Sequence, residues 1–349
     1  MIIEKDGYLY EGDASDGIPH GKGKITFKTG DIYEGDFFYG QRTGKGRLTM
    51  TDGSVYEGDF LNGEIQGLGV YTFKSGAVYD GSFVNGRMFG YGTYTYANGN
   101  VYEGDFEDNF CHGIGKFIWA CGDVYEGYYR YNKRSGLGKL TKANGDVYEG
   151  DFLSDFYHGQ GFLSYANGNS YEGSFSNGTF HGKGKFTWAS GNVYEGDFVN
   201  GQQSGMGKMV WYTGDTYEGG FLNGRHHGHG KLVWSDGASY EGSWQGGAMT
   251  GEGKMVFASG SVYIGAFVAG EMCGSGTYYY GAGERNGDVY KGEMADGSPN
   301  GKGTYVFNDG SIYEGEFKDG LRHGFGTLTT ADGIVSEGTW KSDALVEEE

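Results

Sequence analysis

Three imidazoles fall within four residues at His226-His227-Gly228-His229, and three histidines are the beginning of a zinc site. Zinc takes four ligands in a tetrahedron. Successive side chains of an extended segment point in opposite directions, so a fourth ligand would have to come from elsewhere or from a second chain. Exposed loop histidines are the simpler reading. A second chemistry is suggested by Lys185, Lys208, Lys231 and Lys254, a row of cations 23 residues apart that could address anionic lipid headgroups. Each has acidic neighbours such as Glu195, Asp197, Glu218 and Glu241, and membrane attraction needs an uncompensated basic cluster. A third is phosphate binding at Gly17-Ile18-Pro19-His20-Gly21-Lys22 and Gly297-Ser298-Pro299-Asn300-Gly301-Lys302-Gly303-Thr304. There the spacing is one residue short and leads into a strand instead of a helix, which speaks against a nucleotide. Acid–base catalysis fares no better. Glu103, Glu126, Glu149 and Glu172 form a column with about 10 Å between members and a strand between each pair, which describes a solvated face. With no HExxH, CxxC, nucleophile elbow or EF-hand loop, neither an enzyme nor a cofactor is expected.

All of these residues sit on one periodic frame. Tyr10, Tyr33, Tyr56, Tyr79, Tyr102, Tyr125, Tyr148, Tyr171, Tyr194, Tyr217, Tyr240 and Tyr263 follow one another at steps of 23. After a slip of four residues, Tyr290 and Tyr313 restore the step, and Ser336 stands where a fifteenth tyrosine would be. A fixed period of this length is the signature of a repeat architecture. We number the repeats 1 to 14 from their anchor tyrosines.

Inside a repeat the alternation has period two. Tyr33, Gly35 and Phe37 face one way and Glu34 and Asp36 the other; Gly44, Gly46, Leu48 and Met50 then share a face, with Lys45, Arg47 and Thr49 opposite. Short links such as Tyr39-Gly40 and Asp52-Gly53 suit turns that need positive φ, so each repeat reads as a β-hairpin. Glycine weakens a strand unless something large lies on it. Yet the position two after the anchor is glycine throughout, and both glycines of a GxG recur in every second strand. The expectation is that Tyr and Phe rings lie across these bare stretches, giving a thin sheet a core of its own. In repeat 5 that core comprises Tyr102, Gly104, Phe106, Gly113, Gly115 and Trp119. Seven residues after the anchor glycine gives way to Asn109, Asn132 and Asp155 in three successive repeats, a column read as governed by left-handed backbone geometry.

The expected fold is therefore all-β, an elongated, twisted, single-layer antiparallel sheet of tandem 23-residue β-hairpins. A capping half repeat occupies 1–9, repeats 1–12 span 10–280, a loop insertion spans 281–287, repeats 13–14 span 288–335, and a half repeat with an acidic tail fills 336–349. The acidic end Val346-Glu347-Glu348-Glu349 would discourage end-on aggregation. Repeat 12 departs from the polar pattern: its first strand reads Tyr263-Ile264-Gly265-Ala266-Phe267. Val256, Ile264, Ala266 and Tyr279 thus form an apolar patch of the kind that marks a protein interface.

The net charge of −19, with no offsetting run of lysines, excludes nucleic acid as a partner. Three cysteines, Cys111, Cys121 and Cys273, fit a reducing compartment. The start MIIEKDG carries no secretory or transit signature, so a cytoplasmic protein is expected.

The YEG(D/E)F phrase followed by HGKG or TGKG resembles the MORN repeat over nearly the whole chain. Members of that family serve as cytoskeletal scaffolds, radial-spoke head components, membrane-contact proteins and regulatory modules of kinases, so the resemblance is specific for fold and loose for function. The chain resembles the all-MORN cytoskeletal scaffolds. That implies a non-enzymatic, cytoskeleton-associated protein at a membrane or axoneme, forming a homo-oligomer such as a dimer, with cytoskeletal proteins as partners. The alternatives are a phosphoinositide-binding membrane adaptor, with anionic phospholipid as ligand, and an axonemal radial-spoke head component.

Overall fold

A computed structural model describes residues 1–5 and 7–346. The acidic end Glu347–Glu349 lies outside them. The contacts divide the chain into two compact units, one of residues 1–168 with 174–179 and the other of 169–173 with 180–349. Each is built of antiparallel strands paired with their sequence neighbours in one layer. Among the described residues the only helical element is the short 3-10 turn Gly283–Arg285.

Repeat 5 illustrates the unit. Its first strand is Val101–Glu107 and its second Phe110–Ile118. The two residues between them, Asp108 and Asn109, have φ of 49° and 70°, the two-residue turn with both positions left-handed that matches strand twist. The second strand leads to the next repeat through a tight link in which Trp119 N–H donates to Asp123 O and Gly122 N–H to Trp119 O, both at 2.9 Å. Trp119 thus lies one residue beyond its strand, as do Trp188, Trp211 and Trp234.

Tyrosine and glycine form the core of each hairpin. Gly104 and Gly115 face each other across the ladder, and a Cβ on Gly115 would lie 2.4 Å from the Tyr102 hydroxyl and 2.5 Å from its ring. The ring therefore folds forward over the glycine pair of its own repeat, and its hydroxyl donates to Asp105 O at 2.9 Å. Tyr102 is fully buried although the sheet is one layer thick. Edge-to-face contacts with Phe106, at 5.0 Å, and with Tyr129 of the next repeat, at 5.2 Å, carry the core from repeat to repeat.

One glycine has a different reason. We expected both glycines of the GxG to lie beneath rings, but Gly113 has φ of 62° and sits at a bulge where the register shifts after Gly104. Its neighbour is a carboxylate: Asp105 Oδ2 accepts a hydrogen bond from Ile114 N–H at 3.2 Å, holding the bulge shut. Asp59, Asp151 and Asp197 do the same in repeats 3, 7 and 9.

The ends follow the same logic. Ile2–Lys5 pairs with the first strand of repeat 1, and Val335–Lys341 pairs with the second strand of repeat 14. With Ser336 in place of a tyrosine, Leu345 reaches the space above Gly338. At the four-residue insertion the ladder is unbroken: Tyr279 pairs with Val289 in the ordinary register, and the link closes through Tyr280 N–H to Asp288 O at 3.0 Å.

Candidate interaction surfaces

With the inner face occupied by its own rings, the groups free to meet another molecule lie on the outer face, at the turns and along the half-buried aromatic margin. On the outer face of unit 2 the four lysines are exposed, as expected, but they are not a bare basic row. Glu195 faces Lys185 on one side and Lys208 on the other; Glu218 stands between Lys208 and Lys231, and Glu241 between Lys231 and Lys254. The Lys231 ammonium approaches Glu241 at 3.5 Å. Alternation of charge along a ladder neutralises the row at short range. Lys254 is flanked on its far side by Ile264 instead of a carboxylate.

That irregularity opens the repeat 12 patch. Val256 faces Val262, which faces Tyr279; Ile264 lies between Lys254 and Thr277, and Ala266 faces Glu252. Ile264 and Tyr279 are exposed and Val256 is half-buried, so the predicted residues form one apolar area rimmed by Lys254 and Glu252.

The histidine cluster is dispersed. His226 turns inward and stacks on Tyr217 at 3.7 Å and 10°, with Trp244 edge-on at 5.0 Å. His229 pairs with Ser243, while His227 lies at the bulge beside Gly220. No group of three potential metal ligands forms among the described residues, because the strand alternation and the bulge send the three imidazoles apart. Burial pushes the His226 pKa down to about 4. Burial likewise pushes Tyr33, Tyr56, Tyr79 and Tyr217 up to about 12.

Three features escaped the sequence reading. The first is the column nine residues after the anchor, which lies flat on the anchor ring: Tyr157 on Tyr148, Phe180 on Tyr171 and His226 on Tyr217, all within 3.8 Å. Arg42, Arg134 and Arg322 replace the ring with a guanidinium among aromatics, Arg322 lying 4.5 Å from Trp340. The second is a pair of inter-repeat staples. Asp31, Asn100, Asp123 and Asp215, two residues before an anchor, accept from a backbone N–H of the following turn at 2.8 to 2.9 Å. Asn109, Asn132 and Asp155 do have left-handed backbone, but their side chains also accept from Met88, Cys111 and Arg134 N–H at 2.9, 2.7 and 3.0 Å. That column is governed by chemistry as well as by geometry. The third is an outer-face row in unit 1, twelve residues after the anchor, in which Leu68, Tyr91, Ile114 and Leu137 are all exposed.

The repeat geometry agrees with the comparison to known families. A model of the MORN repeat matches 10–32, 33–55, 56–78, 79–101, 102–124, 125–147, 148–170, 171–193, 194–216, 217–239, 240–262, 263–285, 290–312 and 313–335. The chain belongs to the MORN-repeat family. No curated protein was found to match it. Among solved structures, it is similar to the SAS-4 TCP domain of Drosophila melanogaster in complex with a proline-rich motif of Ana2. That likeness has 14% identity and a TM-score of 0.27, covering 58% of this chain and 90% of that one. It is also similar to the TCP10 domain of Danio rerio CPAP, at 11% identity and a TM-score of 0.19, covering 76% and 94%. A streptogramin B lyase gives 11% identity and a TM-score of 0.14, covering 95% and 99%. At these scores the likenesses carry no argument about this MORN-repeat chain. What membership does establish is a repeat protein of a kind that meets other proteins or membranes.

Proposed function

We propose that this MORN-repeat chain is a non-enzymatic scaffold, self-associating as a homo-oligomer, that organises protein partners on a cytoskeletal or membrane-associated cytoskeletal structure. The observation that carries this reading is the division of labour between the faces. The inner face repeats one solution, tyrosine over paired glycines, whereas the outer face changes identity from repeat to repeat. A surface so individualised offers different contacts at fixed intervals, and several weak contacts combine by multivalency. Interleaving of lysine with glutamate on unit 2 favours proteins over bulk anionic lipid as the partner.

Detergent extraction of cells carrying the tagged protein, followed by imaging, tests the proposal. Retention on an insoluble structure is the expected result. Release with the membranes would replace the scaffold by the phosphoinositide adaptor, and Lys208→Glu with Lys231→Glu would then abolish liposome sedimentation.

A further inference from the structure

The residue between the two glycines of each GxG points outward, twelve residues after the anchor. In repeats 1, 2 and 8 it is Lys22, Lys45 or Lys183, and each pairs with an aspartate of the next repeat at 2.6 to 2.8 Å. In four consecutive repeats of unit 1 it is instead Leu68, Tyr91, Ile114 and Leu137, exposed by 62%, 58%, 60% and 63%. Tyr128, on the strand between the last two, faces Ile114 and is exposed as well. The row is bounded: Lys45 stands before it, and Gln160, bonded to Ser174 Oγ at 2.8 Å, follows it. Large apolar side chains gathered in this way on a sheet face are the mark of an interaction surface.

The charges beside the row say what kind of surface covers it. Arg47 holds Glu57 at 2.6 Å, Lys116 holds Glu126 at 2.8 Å and Lys139 holds Glu149 at 3.8 Å. Glu103 faces Lys116 on one strand and accepts from the Tyr91 O–H at 2.5 Å on the other. Asp80, between Val70 and Thr93, leaves one acidic group at the margin. Ion pairs closed within the sheet give a charged partner of either sign little to meet. The surface that fits is therefore apolar at its centre and balanced in charge around it, which is a description of this patch itself.

Spacing and area point the same way. Two strands per repeat place successive members of the row about 9.6 Å apart, and a second array of the same hairpins brings that interval by construction. Sheets pack face to face about 10 Å apart with their side chains interdigitated and their strands within about 30° of one another. The eight strands of repeats 3–6 are alternately 7 and 9 residues long. Their outer face measures about 38 by 25 Å, so covering it in two copies buries about 1,900 Å² in total, the size of a stable complex. A two-fold axis sets the patch against its own counterpart, and the polar residues that end the row close the assembly at two.

We propose that the outer face of repeats 3–6 is a homodimer interface, where two copies of the chain pack sheet on sheet through Leu68, Tyr91, Ile114, Tyr128 and Leu137. This rests on the self-associating scaffold reading and assigns the surface by which the copies meet. It leaves the outer face of unit 2 to other partners.

The test is sedimentation velocity of the full chain over a dilution series, comparing the wild type with Tyr91→Lys/Leu137→Lys. Asp105 faces Tyr91 and Asp151 faces Leu137, so each new lysine meets the aspartate that Lys22, Lys45 and Lys183 meet in their own repeats. The variant therefore keeps its fold, which circular dichroism checks; should it melt early, Leu137→Lys alone provides the same readout. The expected result is a wild-type dimer whose dissociation constant rises at least tenfold in the double variant and is unchanged by Met206→Lys in unit 2. A wild type that stays monomeric at every concentration would overturn the proposal. If that monomer sediments with phosphatidylcholine vesicles and the double variant does not, the row belongs to a membrane. A dimer that the double variant leaves intact would also overturn it, placing self-association on another surface while the scaffold reading stands. Retention after detergent extraction reports on the scaffold separately, and is scored without reference to this interface.

Discussion

Repeats 3–6 and repeats 8–11 share an interior and differ in what they show to solvent. On the inner face Tyr102 over Gly115 and Tyr171 over Gly184 are the same contact. On the outer face, between the two glycines of the GxG, the first set presents exposed Leu68, Tyr91, Ile114 and Leu137, and the second presents Lys183, Met206, His229 and Glu252. The difference teaches that folding and recognition are carried by separate residues of the same 23-residue phrase. A strand puts neighbours on opposite faces, so the two sets vary independently.

If the interiors are equivalent, damage to them should be equivalent. Gly115→Val and Gly184→Val each place a side chain within 2.6 Å of a buried tyrosine ring that has no empty space to enter. Each should cost about 3 kcal/mol, localised to its own unit, as read by urea unfolding with hydrogen exchange. A markedly smaller loss in either set would break the comparison. Alkali should act on both sets as well. Burial raises the anchor tyrosines from the usual value near 10, Tyr33 and Tyr171 up to about 12, so the protonated form is favoured by the fold. That stability is complete below pH 10 and is lost as pH rises toward 12, so a cooperative alkaline transition in that window is the expected result, followed by circular dichroism.

Acid should separate the two regions. His226 is neutral in its stack and titrates near 4 when folded against 6.5 in the reference state. Its contribution is present above pH 6.5 and is lost as pH falls toward 4, because the unfolded chain binds the proton first. His226→Phe copies Phe180 of repeat 8 and should remove several degrees of that acid-dependent fall in Tm, in unit 2 alone. The smallest expected effect lies in the staples. Ala77 of unit 1 and Ala238 of unit 2 occupy the column in which Asp31, Asn100 and Asp215 bind the next turn. Ala77→Asn and Ala238→Asn should each add about 1 kcal/mol in urea unfolding.

Nearly everything that is the same in every repeat was legible in the sequence. The tyrosine step, the glycine columns and the Asn-Gly and Asp-Gly turns announce a hairpin array because backbone geometry admits few substitutes at those places. What varies was hidden by its variation. The staple column holds Asp, Asn and Ser, three residues with one capability, and reads as a loose polar position until Thr51 and Ala120 N–H are seen to point at it. The outer row at Leu68, Tyr91, Ile114 and Leu137 escaped because its column mixes apolar residues with Lys22, Gln160, His229 and Glu252. The histidine cluster misled in the opposite sense: proximity in sequence on a strand with a bulge is separation in space. Repeat 12 stood out as a departure from a known phrase, and its patch was found for that reason.

Tyr102, Gly104 and Gly115 belong to a single repeat, and so do their counterparts along the chain. The core is consequently divisible. Duplication or excision of any 23 consecutive residues between Tyr10 and Tyr263 leaves every remaining tyrosine above its own two glycines, and the new junction joins partners that already match. An array of this kind can change length within a lineage by single recombination events, without passing through an unfolded intermediate sequence. What such an event alters is the order of the outer surfaces, so the same accident that lengthens the molecule also edits the list of what it holds.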